Sequence, residues 1–95
     1  MNHESADWYA DSGASFHMAQ QRKAVTNYQP VTPGSWTVLG IGNKPLQVAR
    51  IGDVQVLTMI NGSQRSGTLQ NALHVPKLGI NLFSIRKAIE RGFKV

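Results

Sequence analysis

Residues 8–15 read Trp-Tyr-Ala-Asp-Ser-Gly-Ala-Ser, an apolar approach to one carboxylate, one hydroxyl and a glycine. A carboxylate at Asp11 can take a proton from water. Attack of that water on an amide also needs a second, protonated carboxyl to polarise the carbonyl. Two carboxyls a hydrogen bond apart do not both ionise cheaply, so they share a proton and titrate as a pair. The chain has five acids, Glu4, Asp7, Asp11, Asp53 and Glu90, and only Asp11 is followed by Ser-Gly. Asp53 follows Gly52 and reads as a turn residue. A carboxylate dyad therefore requires a second copy of the chain, which makes a homodimer part of the same expectation. Ser12 would offer a hydroxyl to hold the two loops together across the two-fold axis. Gly13 lets backbone approach without a Cβ, and Ala14 keeps the wall small. The competing reading is an ordinary Asp-Ser-Gly turn, which these residue types favour on their own.

The elements around this loop read as short strands. Residues 8–11 form a strand into the Ser-Gly turn, and residues 16–29 are loop with one short strand. Pro30, Pro33 and Gly34 mark a break. Residues 36–39 and 46–49 alternate as the two arms of a hairpin whose tip is Gly40-Ile41-Gly42-Asn43-Lys44-Pro45. Residues 54–58 alternate again, Asn61-Gly62 is a two-residue hairpin signal, and residues 68–75 return as the partner strand, stopped by Pro76. The end is helical in pattern. Asn81 caps a helix from Leu82 to Arg91, with Leu82, Ile85 and Ile89 on one face, Arg86, Lys87 and Arg91 toward its C-terminal end, and Gly92 as the terminating residue. The fold class is all-β, mainly β with one C-terminal helix.

Ninety-five residues make one domain, near the low end of what folds alone, with residues 1–7 as an N-terminal tail that could supply an interface strand. No cysteine is present, which removes disulfides and thiolate metal sites. His3, His17 and His74 lack ligand-like spacing, so no metal and no cofactor is expected. His17, six residues after Asp11, reads as a loop or partly buried histidine that could tune protonation. Trp8 and Trp36 read as core or cleft wall. No apolar run approaches the roughly 20 residues of a membrane span, and the N-terminus lacks an apolar leader, so no membrane partner is expected. The net charge is +5, with basic residues scattered until the last ten positions. That reads as solvated surface, and no direct nucleic-acid partner is expected.

Taken together, Trp8-Tyr9-Ala10-Asp11-Ser12-Gly13-Ala14-Ser15-Phe16-His17-Met18 and Leu73-His74-Val75-Pro76-Lys77-Leu78-Gly79-Ile80-Asn81-Leu82-Phe83-Ser84-Ile85 resemble the two signatures of retropepsins, specifically the proteases of copia-type LTR retrotransposons. The resemblance covers residues 6–95. It implies a homodimeric acid-protease barrel, with Asp11, Ser12 and Gly13 at the catalytic centre. It also implies a flap at Val38 to Leu46. Substrate would lie extended against Ala14, Ser15, Leu39, Gly40, Ile41, Gly42 and Asn43, and Leu78-Gly79 would pack beneath the catalytic loop. The implied substrate is the element's own Gag-Pol polyprotein, cut inside cytoplasmic virus-like particles.

The chain departs from the retroviral pattern at two linked positions. An Asp that usually follows the Asp-Thr/Ser-Gly-Ala run is Ser15, and an Arg that usually follows the later apolar-Gly is Ile80. Both halves of an ion pair are absent together, so the contact is replaced rather than broken. Two rival functions stand beside the protease: a domesticated module that keeps the fold without turnover, and a basic RNA-binding domain, whose affinity would depend on salt and survive Asp11→Asn.

Overall fold

The computed structural model describes residues 8–90, without the side chains of Ile41 and residues 58–60. The tail 1–7 and the proposed helix end at Arg91 and Gly92 lie outside the described residues. Eight strands and one α-helix are seen: β1 (Trp8–Asp11), β2 (Met18–Ala19), β3 (Thr26–Pro30), β4 (Thr37–Leu39), β5 (Pro45–Gln47), β6 (Arg50–Ile60), β7 (Ser63–His74), β8 (Asn81–Ser84) and α1 (Ile85–Glu90). Six strands form one mixed sheet in the order β1-β8-β2-β7-β6-β3, and β4-β5 make a separate hairpin. No helix among the described residues is long and apolar enough to cross a membrane.

The β6–β7 hairpin turns on Asn61-Gly62, both with positive φ (51° and 79°), as a two-residue turn matched to strand twist demands. It is longer than the alternation suggests, because Gly52-Asp53 lies inside β6 rather than ending it. Between the pairs Gly52↔Ala72 and Val54↔Leu69, β7 carries one extra residue; between Thr26↔Asp53 and Gln29↔Ile51, β3 does the same. Each extra residue brings an asparagine into the left-handed region, Asn71 (φ 58°) and Asn27 (φ 48°). Two bulges thus flank one point of β6. Bulges bend a strand and increase its twist, and here they curl the sheet at Gly52.

The central strands are apolar on both faces, so neighbouring residues serve opposite clusters. Met18, Val48, Leu73, Val75 and Leu78 form one buried cluster, with Phe16, Trp36, Val38 and Leu82 packed on it. Ala19, Val25, Val54, Leu69 and Ala72 form the other, covered by Trp8, Val56 and Phe83. Met18/Ala19, Ala72/Leu73 and Leu82/Phe83 each split between the two. Backbone bonds from Val48 N–H to Trp36 O (3.0 Å) and Ala49 N–H to His74 O (2.9 Å) tie the β4–β5 hairpin to the first cluster's side.

Two sequence expectations need correction. Residues 16–29 contain β2 and most of β3, not one short strand. Pro30 ends β3 at the sheet edge, where its missing N–H costs no ladder bond. The helix starts at Ile85, not Leu82, and Asn81 is not its cap. Residues 81–84 instead pair parallel with β1 (Trp8↔Asn81 through Asp11↔Ser84), and the Asn81 Oδ1 accepts the Gln20 N–H at 3.0 Å.

Candidate active site

Asp11 is the last residue of β1 and stands in register with Ser84, the last of β8. Its side chain is half-buried. Oδ1 accepts the Gly13 N–H at 2.7 Å, which closes the turn and fixes the carboxylate. Asp11, Gly13, Ala14 and Ser15 edge a cleft of about 460 Å³, whose apolar wall is Phe16, Met18, Trp36, Val38 and Leu82, with Thr37 and Leu39 beside it. Phe16 and Trp36 meet edge to face, centroids 5.5 Å apart at 80°, an arrangement aromatic pairs favour. A carboxylate at the rim of an apolar cleft under a hairpin can activate water toward a bound amide once a second acid faces it.

The structure brings only part of the set named from sequence to the cleft: Asp11, Gly13, Ala14, Ser15 and Leu39. Leu39 borders the cleft. Residues 40–43 form the β4–β5 turn beyond it, closed by Gly40 N–H to Lys44 O (2.7 Å) and Asn43 N–H to Gly40 O (3.1 Å); of these, Gly40, Gly42 and Asn43 do not edge the cleft, and the side chain of Ile41 lies outside the described residues. Ser12 is exposed beside Asp11 and is not among the residues lining the cleft. Leu78 is buried in the cluster beneath Phe16 and Leu82, while Gly79 turns the chain with φ 88°. A second hollow of about 460 Å³, between Trp8, Thr26 and Val56 on the other cluster's side, has no carboxylate or histidine in its lining.

The residues that hold the Asp11 loop are ones the sequence did not single out for that role. Ser84 is fully buried. Its Oγ donates to the Ala14 carbonyl at 2.6 Å and accepts the Lys87 N–H at 2.9 Å, which makes it the cap of α1. Its own N–H donates to His17 Nδ1 at 3.0 Å. These bonds fasten loop to helix without charge. Lys87 adds its ammonium 5.0 Å above the Phe16 ring. The signal was present in sequence as a serine just ahead of a helical pattern, hidden because the helix start was read three residues early. Ser84→Ala should lower stability by ~1–3 kcal/mol, measured by urea unfolding, since it strips both the Ala14 carbonyl and the Lys87 N–H of a buried partner.

Both described histidines are held neutral. A backbone N–H can only donate, so His17 Nδ1 is unprotonated and the ring proton sits on Nε2. The ring is 3% exposed and lies against Phe83, centroids 5.0 Å apart. Burial and then the Lys87 charge push its pKa below the ordinary 6.5. His74 receives an Arg50 guanidinium N–H on Nδ1 and gives its Nε2 proton to Gln20 O. Burial, followed by the Arg50 charge, lowers its pKa as well. A base whose folded pKa lies below its unfolded value binds fewer protons folded than unfolded between the two. The stability it contributes is whole above pH 6.5 and drains as pH falls from there through the folded values. The melting temperature should therefore fall steadily from pH 7 to pH 5, and a flat profile would show that the rings are not held neutral.

No curated protein and no solved structure matches the chain. A family model does, over residues 8–93, from the Trp that opens β1 to beyond α1. That span contains the curled six-stranded sheet, the hairpin and the Asp11 cleft, and it makes the chain a member of the Pol polyprotein beta-barrel domain family.

Proposed function

We propose that this Pol polyprotein domain is a copia-type aspartic endopeptidase that works as a homodimer and processes the Gag-Pol polyprotein of its own element. The observation that carries the reading is the Asp11 carboxylate, half-buried at the rim of an apolar cleft and pinned by the Gly13 N–H at 2.7 Å. One such carboxylate per chain supports a dyad made by two chains, with the exposed Ser12 and Gly13 beside it available to the partner.

In the dimer the two Asp11 carboxyls share a proton. The ionised one takes a proton from the water between them, and the protonated one polarises the scissile carbonyl. The tetrahedral intermediate collapses as the amine leaves with a proton from the dyad. The β4–β5 hairpin covers an extended substrate and excludes water. The wall of Phe16, Met18, Trp36, Val38 and Leu82 favours large apolar side chains beside the scissile bond.

The test is cleavage of the upstream precursor, or a diverse peptide mixture, between pH 4 and 7 over a range of protein concentrations. Cutting that rises with more than the first power of concentration and is blocked by a statine-type mimic supports the reading. Absence of cutting at every concentration would favour a module that keeps the fold without turnover.

A further inference from the structure

A two-carboxylate mechanism gives His17 no part in the chemistry, yet it is one of the most buried polar residues among those described and is joined to the Asp11 loop through a single intermediary. The path is short. His17 Nδ1 takes the Ser84 N–H at 3.0 Å, and Ser84 Oγ takes hold of the Ala14 carbonyl at 2.6 Å. Ala14 follows Gly13, whose N–H fixes the Asp11 carboxylate. The His17 carbonyl meanwhile accepts the Leu73 N–H at 2.8 Å, anchoring the histidine's backbone to the centre of the sheet. The ring is thus the rigid end of a strut, and the Asp11 loop is the positioned end.

We infer that His17 is a positioning residue for the Asp11 carboxylate and an acid-sensitive release for it: neutral, its Nδ1 holds Ser84 and so the loop; protonated on Nδ1, it loses the Ser84 N–H and the loop is freed. This rests on the protease reading for its consequence in catalysis, though the release itself does not. Protonation replaces an acceptor with a donor facing another donor, an arrangement with no hydrogen bond left in it. The charged group acting on the ring is Lys87 of α1; Phe83 and Ser84 of β8 and Ala14 of the loop carry no charge, and Asp11 directs its Oδ1 to Gly13. A second positive charge beside Lys87 would further oppose the closed form. The device places a low-pH limit on a type of chemistry whose dyad by itself tolerates acid.

The experiment joins nitrogen-15 NMR of the whole chain to the pH profile of cleavage, for wild type, His17→Asn and His17→Phe. Asn places Oδ1 one bond from Cγ, as Nδ1 is in histidine, and so keeps an acceptor that does not titrate. Phe keeps ring bulk without an acceptor. In wild type, the His17 ring at neutral pH should show the proton on Nε2, and on acidification the Gly13, Ala14 and Ser84 amides should shift in step with the ring. In His17→Asn that step should vanish, and cleavage should lose the acid limb that falls about tenfold per pH unit in wild type. In His17→Phe the amides should sit in the released position at every pH, with kcat lower by roughly tenfold or more and KM changed less. Amides that ignore the ring's titration, or an acid limb in His17→Asn identical to wild type, would overturn the inference. If no form cleaves anything, the protease reading fails, and the amide titration still decides the release.

Discussion

Asp11→Asn should reduce peptide cleavage by roughly 10²–10⁴-fold or more while the protein still folds. In the proposed dimer the substitution would reach both chains, and so remove the general base and the general acid together. The fold should survive because the asparagine Oδ1 can keep the Gly13 N–H bond that closes the turn at 2.7 Å. Subunit mixing makes the prediction sharper. If each active centre needs one Asp11 from each of the two chains, a variant chain disables every wild-type chain it pairs with. Adding an equal amount of Asp11→Asn should then cut the activity per wild-type chain to about half under random pairing. Activity unaffected by the added variant would mean that each chain acts alone, and the dyad would be wrong even if the single variant were inactive.

The parts of this site that were legible in sequence are those written in local residue types. Asp11-Ser12-Gly13 at the end of an apolar run gave the loop, Gly40 to Pro45 gave the β4–β5 hairpin, and Asn61-Gly62 gave the two-residue turn of the long β6–β7 hairpin. What was not legible depends on partners far along the chain. Residues 81–84 are a strand only because β1 lies beside them; alone, Asn-Leu-Phe-Ser ahead of a helix is indistinguishable from a cap and the helix's first turn. Ile89, placed with Leu82 and Ile85 on the apolar face of that helix, is 57% exposed, and Ala88 is the helical residue that is buried. The bulge asparagines, Asn27 and Asn71, follow no local pattern, since each answers to a register set by two strands at once. The bond from Ser84 to His17 spans 67 positions, so His17 could be read as buried but its partner could not. The bond that ties β8 to the loop was therefore invisible until both of its partners were seen together.

The second large effect concerns Gly52, where the two bulges meet. A Cβ there would sit 2.6 Å from the Thr26 carbonyl oxygen, 2.7 Å from Val25 Cγ1 and 2.9 Å from Tyr28 Cα. Two of those three atoms are backbone, which cannot rotate aside as a side chain can. Gly52→Ala must push β3 off the edge of the sheet or pull Val25 out of its cluster, at a cost of about 3 kcal/mol. That is a large fraction of the roughly 5–15 kcal/mol that holds a domain together. Gly67, on β7 of the same hairpin, supplies the control. Its Cβ would meet only Val56 Cγ2, at an ordinary 3.8 Å. There Gly67→Ala should stabilise by about 0.4–1 kcal/mol, by narrowing the unfolded ensemble without crowding the folded one. Urea unfolding of the two variants should move in opposite directions with similar m-values. Equal effects of the same sign would mean that β3 does not lie against β6 at Gly52. The curl of the sheet at Gly52 would then need another origin.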